Sequence, residues 1–225
     1  MSDRYERNIG AITKEEQELL KTKRAAIIGC GGLGCYSAEF MSRLGIGHLT
    51  LIDGDTFVES NLNRQLNSLA INLGMNKALE TKRVLLMVRI DLSLKAIPTF
   101  LDEENAEELL KGHDVIIDAL DNVKTRFIAE KAANSLGIPL VHGAVKEWSA
   151  QVCTVFPGDF TISTLYQTDT ELEKPSVLSF TPAFCASIQA SEAVKVLLGR
   201  KDILRKKFLT ADLRNDTFDI VELAK

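Results

Sequence analysis

Residues 25–40 read AAIIGCGGLGCYSAEF. A short apolar run, a cluster of glycines and then a helix-forming stretch describe a buried strand that turns sharply into a helix. Gly29, Gly31 and Gly34 meet the pattern G-x-G-x-x-G, with Gly32 between them, and Asp53 closes the next apolar stretch, HLTLID (48–53), about 20 residues on. In that setting the N–H groups at the helix start hold phosphates and the acid takes ribose hydroxyls. The expected ligand is a phosphate-bearing adenosine. A P-loop is excluded, because Cys35 and Tyr36 follow Gly34 where Lys and Ser or Thr are required.

Outward from this turn the chain alternates strand and helix. TKEE (13–16) is a capping box that opens a short helix, and AAII (25–28) is the strand before the glycines. A helix over about 33–44, the strand HLTLID and a helix over about 76–90 follow. Next come the helix EENAEELLK, the strand DVIIDAL (114–120), a helix over about 123–136 and the strand PLVHGA (139–144). Apolar strands alternating with helices predict a doubly wound, Rossmann-like, mainly parallel sheet covered on both faces. After Ala144 the rhythm changes. WSAQVCTVF alternates like a half-exposed strand, and 158–180 reads as a long, mostly irregular crossover loop. Thr181 and Pro182 read as the cap and first residue of a helix that ends before Gly199. Two short strands near 207–222 complete an antiparallel C-terminal edge. The whole chain, 1–225, reads as one domain.

The chain has 225 residues and is 45% apolar, enough for a core without disulfides. Its net charge of −4 arises from 27 basic and 31 acidic residues with no basic block, so nucleic acid is not an expected partner. The N-terminus is charged, and no apolar run approaches the roughly 18 residues of a membrane span, so the protein is expected to be soluble and cytoplasmic, with no membrane contact. Cys30, Cys35, Cys153 and Cys185 form no C-x-x-C pair and read as buried small hydrophobes, although a helix start beside Cys30 and Cys35 would favour thiolate there. His48, His113 and His142 read as structural.

NAD and ATP both fit the glycine turn, and the stretch beyond it decides between them. IDGDTFVESNLNRQ supplies Asp53, Asp55, Asn61, Arg64 and Gln65; GMNKA supplies Lys77 at a helix start, and DALDN puts Asp121 at a strand end. Carboxyl ends of parallel strands converge on the ligand crevice. A nicotinamide has no use for so many charges, whereas Arg64 and Lys77 can neutralise a triphosphate and Asp121 can hold Mg2+.

RYERNI, GCGGLG, LTLIDGDTFVESNLNRQ, GMNKA and DALDN together resemble the HesA/MoeB/ThiF family, bacterial relatives of ubiquitin-activating enzymes. The resemblance runs through nearly the whole chain, with SNLNRQ its most specific mark. It implies a homodimer that adenylates the C-terminal glycine of a small ubiquitin-like sulfur carrier, using ATP and releasing pyrophosphate. By motif, Asp53 would bind ribose; Asn61, Arg64, Gln65 and Lys77 would surround the phosphates; Asp121 would bind Mg2+. Arg7 of RYER would reach the γ-phosphate in the neighbouring subunit. Many relatives carry two C-x-x-C pairs for zinc, but the corresponding stretches here read GDFTISTLY and DTFDIVELAK, so zinc is not expected. Residues 158–180 contain no cysteine, which leaves adenylation without a covalent carrier step. The alternatives are adenylation of another carboxylate or a tRNA base, the latter disfavoured by the missing basic patch, and an NAD-binding oxidoreductase or a non-catalytic nucleotide-binding scaffold.

Overall fold

The computed structural model describes residues 3–166 and 175–223. The elements run α1 (Lys14–Thr22), β1 (Arg24–Ile28), α2 (Gly32–Leu44), β2 (His48–Ile52), α3 (Lys77–Val88), β3 (Ser93–Ile97), α4 (Ala106–Leu110) and β4 (Val115–Asp118). They continue as α5 (Val123–Leu136), β5 (Leu140–Lys146), β6 (Ser149–Val155), α6 (Thr161–Leu165), α7 (Phe180–Leu197), β7 (Lys207–Asp212) and β8 (Thr217–Glu222). The strands form one sheet in the order β3-β2-β1-β4-β5-β6-β7-β8. The first five lie parallel, while β6, β7 and β8 are antiparallel to their neighbours. The fold is therefore doubly wound, with an antiparallel C-terminal edge.

Alternating side chains of the central strands divide the core in two. Ala25, Ile27, Val115 and Ile117 join Met41, Leu85 and Ala193 on one face, beneath α2, α3 and α7. Ala26, Ile28 and Ile116 join Leu110, Ala129 and Ala133 on the other, beneath α4 and α5. Burial on both faces explains why these strands read as unbroken apolar runs. Among the described residues, no helix is long and apolar enough to cross a membrane.

The chain steps outward from β1 through β2 to β3, then returns to the other side of β1 as β4. The direction of winding thus switches between β1 and β4, and crevices at such points, beyond the carboxyl ends of the strands, are where ligands bind in this architecture. The glycines lie there. Gly29 has φ +92°, and a Cβ on it would stand 2.7 Å from the carbonyl oxygen of Ala119, just past β4. A Cβ on Gly34 would overlap the Gly29 carbonyl, so α2 starts closer to its own strand than any side chain permits.

Several sequence expectations are revised. β3 is a strand that the sequence reading does not include, because SLKAI is only partly buried and polar residues interrupt it. β6 is mostly buried rather than half-exposed, since it lies inside the sheet between β5 and β7. α7 begins at Phe180 with Ser179 at its cap position, so Pro182 is its third residue. Thr181 caps nothing; its hydroxyl donates to the Glu147 carbonyl at 2.8 Å. Part of the expected crossover loop is helical, as α6, and its residues 167–174 lie outside the described residues. The capping box at Thr13 is present, with Glu16 N–H donating to the threonine hydroxyl at 3.1 Å and the Thr13 N–H donating to the Glu16 carboxylate at 2.9 Å.

Candidate functional site

The N-terminus of α2 opens at Gly31, which has no side chain to cap it, so the N–H groups of the first turn are left for a ligand. Beside it, Asp53 accepts a 2.6 Å hydrogen bond from the Cys30 N–H on one carboxylate oxygen and a 2.8 Å bond from the Asp55 N–H on the other. Each oxygen retains acceptor capacity for a ribose hydroxyl. Burial raises the Asp53 carboxyl above its ordinary range, an effect opposed by those two N–H groups and by the charge of Lys77.

The tight turn after Val58 returns the chain to the glycines. Asn61 is buried and builds this turn: its side-chain oxygen accepts the Val58 N–H at 3.1 Å, and its carbonyl accepts from Arg64 and Gln65. The result places Gln65 against Gly31 and the stem of Arg64 against Gly32, at 3.5 and 3.8 Å from where their Cβ atoms would stand. The Arg64 guanidinium reaches the Ser60 carbonyl at 2.9 Å and the Asn63 side chain at 2.7 Å. The side-chain oxygen of Gln65 is buried without a hydrogen-bond partner, a costly arrangement that a donor on a ligand would relieve.

Lys77 opens α3 and is 7% exposed, yet its ammonium meets the half-exposed Asp55 carboxylate at 2.6 Å. Asn76 secures this corner by donating to the carbonyls of Asp53 and Asp55. Asp121 follows β4 at the same edge of the sheet. It is exposed, and its carboxylate makes no hydrogen bond or ion pair among the described residues. A lone exposed carboxylate suits Mg2+, which is commonly held by one or two carboxylates together with substrate phosphates. Among the described residues, no group of three or more His, Cys, Asp or Glu side chains is placed to hold a metal ion.

The structure thus links Gly29, Gly31, Gly32, Gly34, Asp53, Asp55, Asn61, Arg64, Gln65 and Lys77 through contacts around the glycine turn, with Asp121 two residues beyond the Ala119 carbonyl that faces Gly29. Arg7 does not join them. Its 3-10 turn packs through Asn8 and Gln17 on the far end of α2, where Gln17 donates to the Leu44 carbonyl at 3.0 Å. A helix of 13 residues puts that end about 20 Å from the glycine turn. The Arg7 guanidinium is exposed and unpaired among the described residues.

One contributor escaped the sequence reading. The ring of Phe100, 67% exposed, abuts Gly54, 2.7 Å from where a Cβ would stand, and so offers an apolar group beside Asp53. Only the fold brings together two residues so far apart in the chain. The cysteines are all buried. Burial pushes the Cys35 thiol up to about 11 and Cys185 up to about 12, and raises Cys30 and Cys153 as well, so the helix start does not make Cys30 or Cys35 a nucleophile.

The ThiF family model matches residues 5–225. The chain belongs to that family. It is 31% identical to SAMP-activating enzyme E1 of Haloferax volcanii, over 97% of this chain and 84% of that protein. It is 32% identical to the sulfur carrier protein adenylyltransferase of Thermus thermophilus, over 88% of this chain and 78% of that protein. The crystal structure of E. coli MccB with ATP shares the fold, with a TM-score of 0.86 at 21% identity, covering 100% of this chain and 73% of that one.

His113 and His142 generate a pH dependence. The His113 ring bonds the Leu110 carbonyl and the Thr50 hydroxyl, both at 2.8 Å, and His142 is fully buried against Asp118 at 2.6 Å. Burial lowers both imidazoles below their ordinary 6.5, although Asp118 opposes the effect at His142. The unfolded chain therefore takes up protons that the folded chain refuses. The stabilisation is complete above 6.5 and is lost as pH falls below that value toward the depressed folded values. Urea midpoints measured from pH 7.5 to 5.5 are expected to fall on the acid side; midpoints that rise there contradict this account.

Proposed function

We propose that this chain is an adenylyltransferase that activates the C-terminal glycine carboxylate of a small ubiquitin-like sulfur carrier, with ATP as the AMP donor and pyrophosphate as the product. The observation that carries the reading is the packing of Arg64 and Gln65 onto the glycine turn, with the Lys77–Asp55 pair beside the ribose-type carboxylate Asp53. A polyphosphate uses all of these groups and a nicotinamide does not. The names of the two relatives, an E1-type activating enzyme and a sulfur carrier adenylyltransferase, support the same activity. The structural likeness to an ATP-bound protein agrees with the nucleotide. The reading includes a single catalytic domain and a cytoplasmic location.

Asp53 would hold the ribose and Phe100 would flank the base. The open N–H groups of α2, together with Asn61 and Gln65, would orient the phosphates. A carrier carboxylate oxygen attacks the α-phosphorus; a carboxyl–phosphorus bond forms, the bond to the bridging oxygen of the β-phosphate breaks, and pyrophosphate leaves with that electron pair. The attacking carboxylate is already ionised at neutral pH, so no general base is required. Charge grows on the phosphate oxygens, and Arg64 and Lys77 are the cations beside them, Lys77 exchanging Asp55 for phosphate. Magnesium that arrives with ATP would shield the phosphates, and Asp121 is the residue that would hold it.

The reading extends to a homodimer whose subunits share sites. Between Val58 and Leu79, Leu62, Leu66, Leu69, Ile71 and Met75 are all exposed, an apolar strip next to Arg64. A groove of about 690 Å3 beside Asn8, lined by Ile12, Phe40, Leu44 and Val194, lies at the opposite end of α2. Seating the strip of one subunit in the groove of another would bring the unpaired Arg7 to its partner's phosphates, which it cannot reach in its own chain.

Three experiments test these claims. ATP with Mg2+ is expected to raise the melting temperature while NAD does not, and Asp121→Ala is expected to lower carrier-dependent pyrophosphate exchange by on the order of a hundredfold. Stabilisation by NAD alone would rule the reading out, and normal exchange in the variant at saturating Mg2+ would show that the Asp121 assignment is wrong. For the shared site, Arg7→Ala and Asp121→Ala are reassociated together and mixed dimers confirmed with a tag. Half the dimers are then mixed and each holds one complete site, so about a quarter of wild-type activity returns. No recovery despite mixing would show that Arg7 does not act across the interface.

A further inference from the structure

We propose that Arg126, together with the buried chain Asp118–His142–Tyr166, consists of positioning residues that aim the Asp121 carboxylate at the metal site; this rests on the reading of Asp121 given above. The peptide groups of Leu120, the residue before Asp121, are gripped from both sides. The Leu120 N–H donates to the Asp118 carboxylate at 3.0 Å, and its carbonyl accepts from the Arg126 guanidinium at 2.5 Å. On the other flank Asn122 is fixed as the cap of α5, its side chain accepting the Thr125 N–H at 2.8 Å. Asp121 therefore projects from a backbone clamped before and after it, although its own side chain has no partner among the described residues.

The clamp is built from buried groups. Asp118 and His142 are fully buried and Arg126 is 4% exposed. Arg126 lies 3.7 Å from the Asp118 carboxylate and also donates to the Gly143 carbonyl on β5 at 3.3 Å. Buried ion pairs are weak sources of net stability, so stability alone is a poor reason for placing one here. The hydrogen-bond order then follows from charge. Asp118 stays ionised: burial pushes it up, but the His142 hydrogen bond and the Arg126 charge hold it below its ordinary range. The neutral His142 must donate from Nδ1 to Asp118 at 2.6 Å, which leaves Nε2 to accept from the Tyr166 hydroxyl at 3.0 Å. The Tyr166 ring in turn packs 5.3 Å from the Arg126 guanidinium. Tyr166 thereby connects α6 and the start of the crossover segment to the residue that carries Asp121.

The test is calorimetric binding of a non-hydrolysable ATP analogue to the full chain, with and without Mg2+. In the wild-type protein, Mg2+ tightens binding. Arg126→Lys keeps a positive charge beside Asp118 but loses the planar fork, and it is expected to forfeit about tenfold of the Mg2+-dependent tightening while metal-free affinity stays unchanged. Tyr166→Phe keeps the ring and removes only the hydroxyl, so it should fold even if Arg126→Lys does not; about threefold is expected to be lost, on the scale of one hydrogen bond. In an Asp121→Ala background neither substitution should have any further effect, a coupling that a merely structural role would not produce. If Asp121→Ala abolishes the tightening but Tyr166→Phe and Arg126→Lys retain it, or lose metal-free affinity equally, positioning is refuted and the metal reading stands. If Asp121→Ala itself retains the tightening, the metal reading is wrong and the positioning role falls with it.

Discussion

The close approach of two backbones at the switch in sheet winding is the constraint on which the site depends. Gly34 must lie against the Gly29 carbonyl and Gly29 against Ala119, with no room for a Cβ at either position. That contact places the open end of α2 beside the loop after β4, in which Asp121 follows Ala119 by two residues. It also sets where everything else must arrive: the turn built by Asn61 lays Gln65 and Arg64 onto Gly31 and Gly32 from the outside. A side chain at Gly34 would push α2 from its strand and displace the residues packed on the glycine turn.

Electrostatics complete the arrangement. Lys77, nearly buried, is paired with Asp55 across 2.6 Å, so its charge is compensated beside Asp53; in the proposed reaction it would exchange that partner for phosphate. Arg64 is held by carbonyl and amide oxygens, and among the described residues no carboxylate compensates its charge. Since the nucleophile brings its own negative charge, the protein's task is positioning and neutralisation. His142, fully buried, bonds Asp118, and the half-buried His113 bonds Thr50.

Much of this was legible from residue order. The glycine turn, its flanking strand and helix, and the fully buried central strands carry strong local signals, because burial on both faces leaves no polar interruption. The charged residues from Asp53 to Lys77 were legible as a set, since a nicotinamide has no use for so many charges beside a glycine turn. The misses share one cause: they depend on contacts between distant parts of the chain. β3 is only partly buried, so its pattern is weak until it pairs with β2. Thr181 resembles a helix cap, but a carbonyl of the β5–β6 connection draws its hydroxyl away. Phe100 meets Gly54, and Arg126 meets Leu120, only once the sheet is assembled.

The central claim is that the chain joins AMP to a carrier carboxylate. The most direct measurement is intact-mass analysis of a ubiquitin-like carrier ending in Gly-Gly after brief incubation with the protein, ATP and Mg2+. The account predicts an adduct of one AMP on the carrier's C-terminal carboxylate, converted back to free carrier on adding pyrophosphate, with no adduct on the enzyme's buried thiols. A carrier of unchanged mass, for every such carrier encoded beside the gene, or an adduct that forms with NAD in place of ATP, would contradict it.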